Sequence, residues 1–396
     1  MKNLSLIVTF MSFLLSCSKS QIHIKEIYAH DTINIQRDVI WQKTIPFSKL
    51  VERIRYFPIP TDKDFLIGKT SKLMVTDSSF IIMDNRITHS VFAFHKDGYW
   101  KSCIHQQGNG PTEYLQLSDI CYNPQNNELG VYCNIKNKIL YYDLNRGNFL
   151  REFKLPYKAD MIGVVGDKMV QCAEYLENIA LKKDGLYPNL IYLQSDSFIN
   201  VIGKNYFKGP VNRALVTSSQ SWFSSWEDTL SIKPDHCNTV YHCTKDSIFP
   251  AHFLDFGVCN VGNRYWSKIL EKNMTSKKIN DFCKTENLCE TIWYMESKDY
   301  ICFTCKQNGE LSRVIYSKKR NKGFRFTLLE NDMDLFSSFQ PKAILGNKIY
   351  VFLSSHNVST ISRSLNEKLI PFKLKDVKEG DNPIIVELTL KDFLIL

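Results

Sequence analysis

An all-β fold built from small repeated sheets is what this sequence predicts, and three observations predict it. Apolar runs of four to five residues, rich in Ile, Val, Phe and Tyr, recur along the chain and are too short for helices. One unit is written twice, on either side of Gly108-Asn109-Gly110-Pro111. The runs are apolar on both faces instead of alternating, as strands are when both faces of their sheet are covered. Sheets stacked radially, each between two neighbours, satisfy all three. The predicted architecture is therefore a six-bladed β-propeller of four-stranded antiparallel blades, a repetition that leaves few long exposed edges.

The two clearest copies lie between Ser78 and Phe153. Each opens with an apolar run (Phe80 to Met83; Leu129 to Cys133), continues with a second (Val91 to Phe94; Ile139 to Tyr142) and then turns through a glycine. Those glycines, Gly98 and Gly147, stand 49 positions apart, within the range of propeller repeats. Weaker copies pair Lys168–Cys172 with Leu190–Leu193, Thr229–Ile232 with Thr239–Tyr241, and Tyr300–Phe303 with Arg313–Tyr316. Lys348 to Phe352 begins the last.

In chain order, residues 1–16 read as a secretory signal: Lys2, an apolar stretch from Leu4 to Leu15, and a small residue before Cys17. The apolar stretch is too short to span a bilayer. Leu14-Leu15-Ser16-Cys17 has the form of a bacterial lipobox, so Cys17 is the expected lipidation site. Residues 17–46 are polar with weak strand pattern and read as a lipid-anchored tether, leaving 47–396 as the propeller. Phe47 to Pro60 supplies one strand that closes the ring beside the C-terminal run from Pro383 to Leu390, with Pro58 and Pro60 tolerable on an outer edge. Between Gly257 and Tyr300 the repeat breaks. Tyr265, Trp266, Ile269, Leu270 and Met274 fall at helical spacing behind Asn263, predicting one short helix near 263–274.

The net charge of +9 is scattered, its only dense cluster being Lys318-Lys319-Arg320 with Lys322, which reads as a solvated turn; no nucleic-acid partner is expected. Of 12 cysteines, 11 remain once Cys17 is used. Cys302 and Cys305 sit three apart in a strand and so face opposite ways. Cys133 and Cys172 read as buried small hydrophobes, and Cys283 with Cys289 as the best candidates for a bridge.

Candidate chemistry is sparse. Gly108 to Tyr114 resembles a phosphate loop but lacks its Lys and Ser/Thr, so its glycines read as supplying unusual backbone angles between blades, with Glu113 and Tyr114 near the ring's face. His236-Cys237 and His242-Cys243, with His252 beyond, carry ligand-type residues at a spacing that matches no zinc pattern. No metal site and no cofactor are assigned from them. Trp222, Phe223 and Trp226 crowd one short stretch; Trp222 and Trp226 are candidates for stacking on a sugar ring or for wedging between blades. Asp84, Asn85, Glu113, Asn134 and Glu174 stand nearest strand ends, and no catalytic motif selects among them.

The order of several motifs resembles the six-bladed β-propeller lipoproteins of Bacteroidota, of the NHL or TolB-like kind. These motifs are Ser48-Lys49-Leu50-Val51-Glu52 through Pro58, Ile81 to Asp84, Gly108 to Tyr114, Asn238-Thr239-Val240-Tyr241 and Asp255-Phe256-Gly257. The match is good over residues 47–260 and looser beyond. Relatives of this kind use acidic residues after the lipidated cysteine to reach the cell surface. Ser18-Lys19-Ser20 has none, implying an outer-membrane anchor that faces the periplasm.

Two functions follow as expectations. The first is a non-enzymatic envelope scaffold, held to the membrane by lipid, whose ring face or channel takes a peptide, glycan or protein partner. The second is a hydrolase or lactonase-like enzyme with a divalent metal in the central channel. Converging Asp, Glu or Asn side chains at the channel mouth favour the enzyme, and an apolar channel favours the scaffold.

Overall fold

The computed structural model describes residues 31–392 except 63–64, 174–175, 177, 180–189, 195–197, 203–222, 235–236, 262–264, 266–267, 269–274, 335, 337 and 366–369. The signal segment, Cys17, Trp222, Glu174 and His236 lie outside the described residues.

Apolar runs flanked by turn residues fold into small antiparallel sheets. The first holds β4–β7 (Lys72–Val75, Ser79–Asp84, Ser90–His95, Trp100–Ile104), and the second β8–β11 (Asp119–Asn123, Glu128–Cys133, Lys138–Asp143, Phe149–Lys154). The third holds β12–β15 (Met161–Val165, Lys168–Cys172, Leu190–Gln194, Phe198–Ile202), and the fourth β16–β19 (Ser224–Trp226, Thr229–Ile232, Thr239–Cys243, Ile248–Asp255). The fifth holds β20–β23 (Cys289–Glu296, Tyr300–Gln307, Glu310–Ser317, Lys322–Glu330). The last joins β24–β26 (Pro341–Leu345, Lys348–Leu353, Ile384–Leu390) to β3 (Val51–Pro58). That makes six sheets. The strand pairs read from the sequence are the second and third of each sheet.

Packing closes them into a ring. Buried clusters join each sheet to the next: Met83 and Val91 with Val131 and Leu140, Tyr132 with Ile162 and Met169, Val170 with Leu230 and Ile232. Val240 and Leu254 meet Tyr294 and Phe303, Met295 and Ile315 meet Ile349 and Val386, and Tyr350 and Ile385 meet Phe80 and Phe94. Strands β5 and β26 are buried along their whole length, because each is covered on both faces. A core divided among sheet interfaces in this way is that of a propeller.

β3 pairs antiparallel with β26 as the outermost strand of the last sheet, so the N-terminal strand closes the ring as expected. The tether reading fails for residues 31–46. β1 (Asp31–Asn34) pairs in parallel with β19, and β2 (Val39–Pro46) in parallel with β23, so the chain runs along the outer edges of two sheets. Ile33, Val39 and Ile45 are buried there; exposed Ile40, Trp41, Lys43 and Thr44 between the last two mask the strand pattern. Two single turns, α1 (Ile35–Asp38) and α2 (Phe47–Leu50), lead from strand to strand.

Most of the predicted helix near 263–274 lies outside the described residues; Tyr265 and Lys268 within it are helical. A further helix, α3 (Ser276–Thr285), is capped by the Thr275 side chain accepting from Lys278 N. A second helix, α4 (Ser355–Ser364), was not foreseen; its mostly polar sequence offers Val358 and the half-buried Ile361 to the core. No helix among the described residues is long and apolar enough to cross a membrane.

Candidate functional site

Three places merit a functional reading: the channel, the Gly108–Tyr114 loop and a polar cluster between the fourth and fifth sheets. The inner strands β4, β8, β12, β16, β20 and β24 surround a channel cavity of about 340 Å³. Its wall mixes apolar residues such as Leu73, Val75, Tyr122, Val164, Phe223 and Ile344 with polar ones such as Lys72, Asn123, Ser225 and Lys342. Asp77, Glu227 and Asp228 stand at one mouth.

The loop joins β7 to β8 and is closed by Gly108 N donating to Tyr114 O and Tyr114 N to Gln106 O, at 3.1 and 3.0 Å. Glu113 curls back so that its carboxylate accepts from Gly110 N at 2.7 Å. The glycines are needed for a different reason than the sequence suggested. Neither has positive φ; a Cβ on Gly108 would lie 2.1 Å from the Glu113 carboxylate, so they make room for that side chain. Tyr114 is wholly buried, donating to His89 O at 2.7 Å, and burial pushes its hydroxyl pKa up. It is a strut and not a surface residue. Tyr114→Phe should lower stability by about 1–2 kcal/mol, the cost of an orphaned buried acceptor, measured as a shifted denaturation midpoint.

The polar cluster was only half visible in the sequence. His242 on β18 and His252 on β19 share a face because His252 pairs with Val240, two residues before His242; beyond that pair the register slips by one, Tyr241 pairing with Pro250 and leaving Ala251 over. Pro250, which has no amide to donate, suits such a bulge. Both imidazole Nε2 atoms reach Glu296 at the end of β20, His242 at 3.0 Å and His252 at 3.1 Å. Glu296 is fully buried and also accepts from Ser231 Oγ at 2.6 Å and Tyr294 OH at 2.8 Å. The Lys318 ammonium lies against Oε1 and over the Trp226 ring, 4.5 Å from its centroid. Burial alone would raise the Glu296 pKa; the two imidazoles and Lys318 outweigh it and hold the carboxyl well below its usual range.

Trp226 therefore neither stands free nor wedges deep between sheets: it packs edge-on against His242 at 5.2 Å, half-exposed. Lys318 is drawn into the cluster rather than solvated, while Arg320 pairs with Asp392 at 2.8 Å. Cys237 and Cys243 are buried away from these ligand atoms. Glu296, 44 positions beyond His252, carried no local signal; only the sheet-to-sheet packing brings it in.

Cys283 and Cys289 are free thiols. The expected Cys283–Cys289 bridge is absent because Cys283 lies on α3 while Cys289 is buried against Cys305, near Arg325. Cys302 and Cys305 pack into different sheet interfaces, as their spacing implied. Cys133 and Cys172 are buried.

A sequence family described as a domain of unknown function, DUF4934, matches residues 30–389. No curated protein matches the chain. Among solved structures, an exported protein of Bacteroides fragilis is 16% identical, covering 91% of this chain and 100% of its own, with a TM-score of 0.72. A DUF4221-family protein of Bacteroides vulgatus is 12% identical over 86% of this chain and 97% of its own, with a TM-score of 0.47. BamB of Moraxella catarrhalis is 9% identical over 84% and 100%, with a TM-score of 0.41. The first of these likenesses shows the fold.

Proposed function

The chain belongs to the DUF4934 family, and we propose that it is a non-catalytic scaffold of the bacterial envelope, anchored through lipid on Cys17 and presenting a ring face to a peptide, glycan or protein partner. The channel lining carries this reading. Its wall mixes apolar and polar residues, and the one group of three converging metal-type ligands among the described residues, His242, His252 and Glu296, is not part of it. A channel hydrolase would need such a group at the place where substrate enters. Export of the Bacteroides fragilis protein, which shares the fold, supports an envelope location. The mouth bearing Asp77, Glu227 and Asp228 is the face we assign to the partner.

The test uses the full chain in a Bacteroidota host. Cys17→Ala should abolish palmitate labelling and move the protein from the membrane to the soluble fraction. In-cell cross-linking of the wild type should capture a discrete envelope partner, and Asp77→Lys with Asp228→Lys should abolish the adduct while the melting temperature holds. Loss of the lipid dependence, or an adduct indifferent to the channel mouth, overturns the proposal.

A further inference from the structure

We propose that His242, His252 and Glu296 form a binding site for a divalent transition-metal ion of the zinc type, set between the fourth and fifth sheets.

The donor set is two imidazoles and one carboxylate, a combination suited to zinc and its first-row neighbours and one that leaves a coordination position open. The three ligand atoms lie within 4.8 Å of one another. Each Nε2 is 3.0–3.1 Å from a Glu296 oxygen. Ligand bonds of about 2.0–2.2 Å in tetrahedral geometry place neighbouring donors about 3.3 Å apart, so both histidine–carboxylate separations are within a few tenths of an ångström of what an ion needs. The ligands come from β18 and β19, each held by ladders on both sides, and from β20, paired with β21, so the site is built on regular strands.

Two further observations point to a cation. First, one already sits there: the Lys318 ammonium lies on Glu296 Oε1, with its side chain 21% exposed, so its tip can leave for solvent and give way to an ion. Second, His252 Nδ1 is buried with no hydrogen-bond partner, and the nearest carboxylate oxygen, Asp31 Oδ2, is 3.9 Å away. While Nε2 donates to Glu296, Nδ1 is a buried acceptor that nothing serves. Once Nε2 gives its lone pair to a metal, Nδ1 carries the proton and points it toward Asp31, the outer-shell arrangement usual for metal-bound histidine. Ser231 Oγ and Tyr294 OH, both on Oε2, orient the carboxylate in the same way.

The experiment takes the purified full chain, strips it with a chelator and titrates it with Zn²⁺, and with Co²⁺ as an absorbing probe. We expect one equivalent of each to bind and the melting temperature to rise with Zn²⁺. His242→Ala and His252→Ala should each weaken binding by more than about 100-fold, beyond the roughly 10–100-fold typical of losing an outer-shell partner, which is what Asp31→Asn should cost. Lys318→Met keeps every ligand and removes the competing ammonium, so it should bind Zn²⁺ more tightly than wild type and remains informative if a histidine variant fails to fold. Absence of stoichiometric uptake, uptake unchanged in His252→Ala, or no tightening in Lys318→Met overturns the site.

Discussion

Asp119→Ala should cost the fold about 3–5 kcal/mol, as removal of one partner from a buried ion pair does when the other charge stays behind. Asp119 on β8 is wholly buried; its Oδ1 meets Lys72 Nζ of the first sheet at 2.6 Å and its Oδ2 accepts from Ile162 N of the third at 3.0 Å. One carboxylate thus ties three inner strands together. Its loss takes the countercharge from the Lys72 ammonium, which is 5% exposed and keeps Ile120 O at 2.8 Å, and removes the acceptor of the Ile162 amide. The double variant Lys72→Met with Asp119→Leu removes the charge together with its partner and should recover a large part of that loss, because well-packed apolar replacements of buried pairs are often near neutral. Urea denaturation of the two single variants and the double gives the coupling energy. Coupling near zero would mean that the pair contributes nothing beyond its packing.

That pair also explains how far the fold was legible. The second and third strands of each sheet carry apolar residues on both faces, as in Phe80–Met83 and Ile139–Tyr142, and the sequence announces them. The inner strands do not. Lys72–Val75 and Asp119–Asn123 contain charged and polar residues whose burial is made tolerable by partners on neighbouring sheets, and no local pattern reveals a partner 47 positions away. The outer strands β1 and β2 were hidden for the opposite reason, since one face of each is solvated. At the polar cluster, His242 and His252 were noticed as ligand-type residues, but the pairing of β18 with β19 aligns them and a different sheet supplies Glu296. Trp226 stood out as an aromatic, and its neighbours His242 and Lys318 are what give it a polar setting.

Asp84 bears on how one strand end can organise a whole loop. The sequence marked it only as an acid closing an apolar strand. Its carboxylate is wholly buried and accepts from Gly68 N and Lys69 N at 2.9 Å, Ile87 N at 2.9 Å, Arg86 N at 3.1 Å, and Thr88 N and Oγ1 at 3.3 and 3.0 Å. It thereby holds two chain segments, 68–69 and 86–88, against the end of β5. Asp84→Asn keeps the shape but turns one acceptor oxygen into a donor facing amide N–H groups, and should cost about 4 kcal/mol or more, the range in which buried networks break. Burial alone would raise the Asp84 pKa, but the amide donors of Ile87, Lys69 and Arg86 outweigh it and hold the carboxyl below its ordinary value. A depressed carboxyl stabilises the fold at pH values above its unfolded pKa of about 3.9, and that stabilisation is lost as pH falls through the lower folded value. The stability gap between wild type and Asp84→Asn should therefore be full at pH 7 and narrow as pH drops below about 4. Denaturation midpoints of both proteins measured from neutral to acid pH check the sign: a gap constant with pH would mean that the charge on Asp84 plays no part and that shape alone holds the loop.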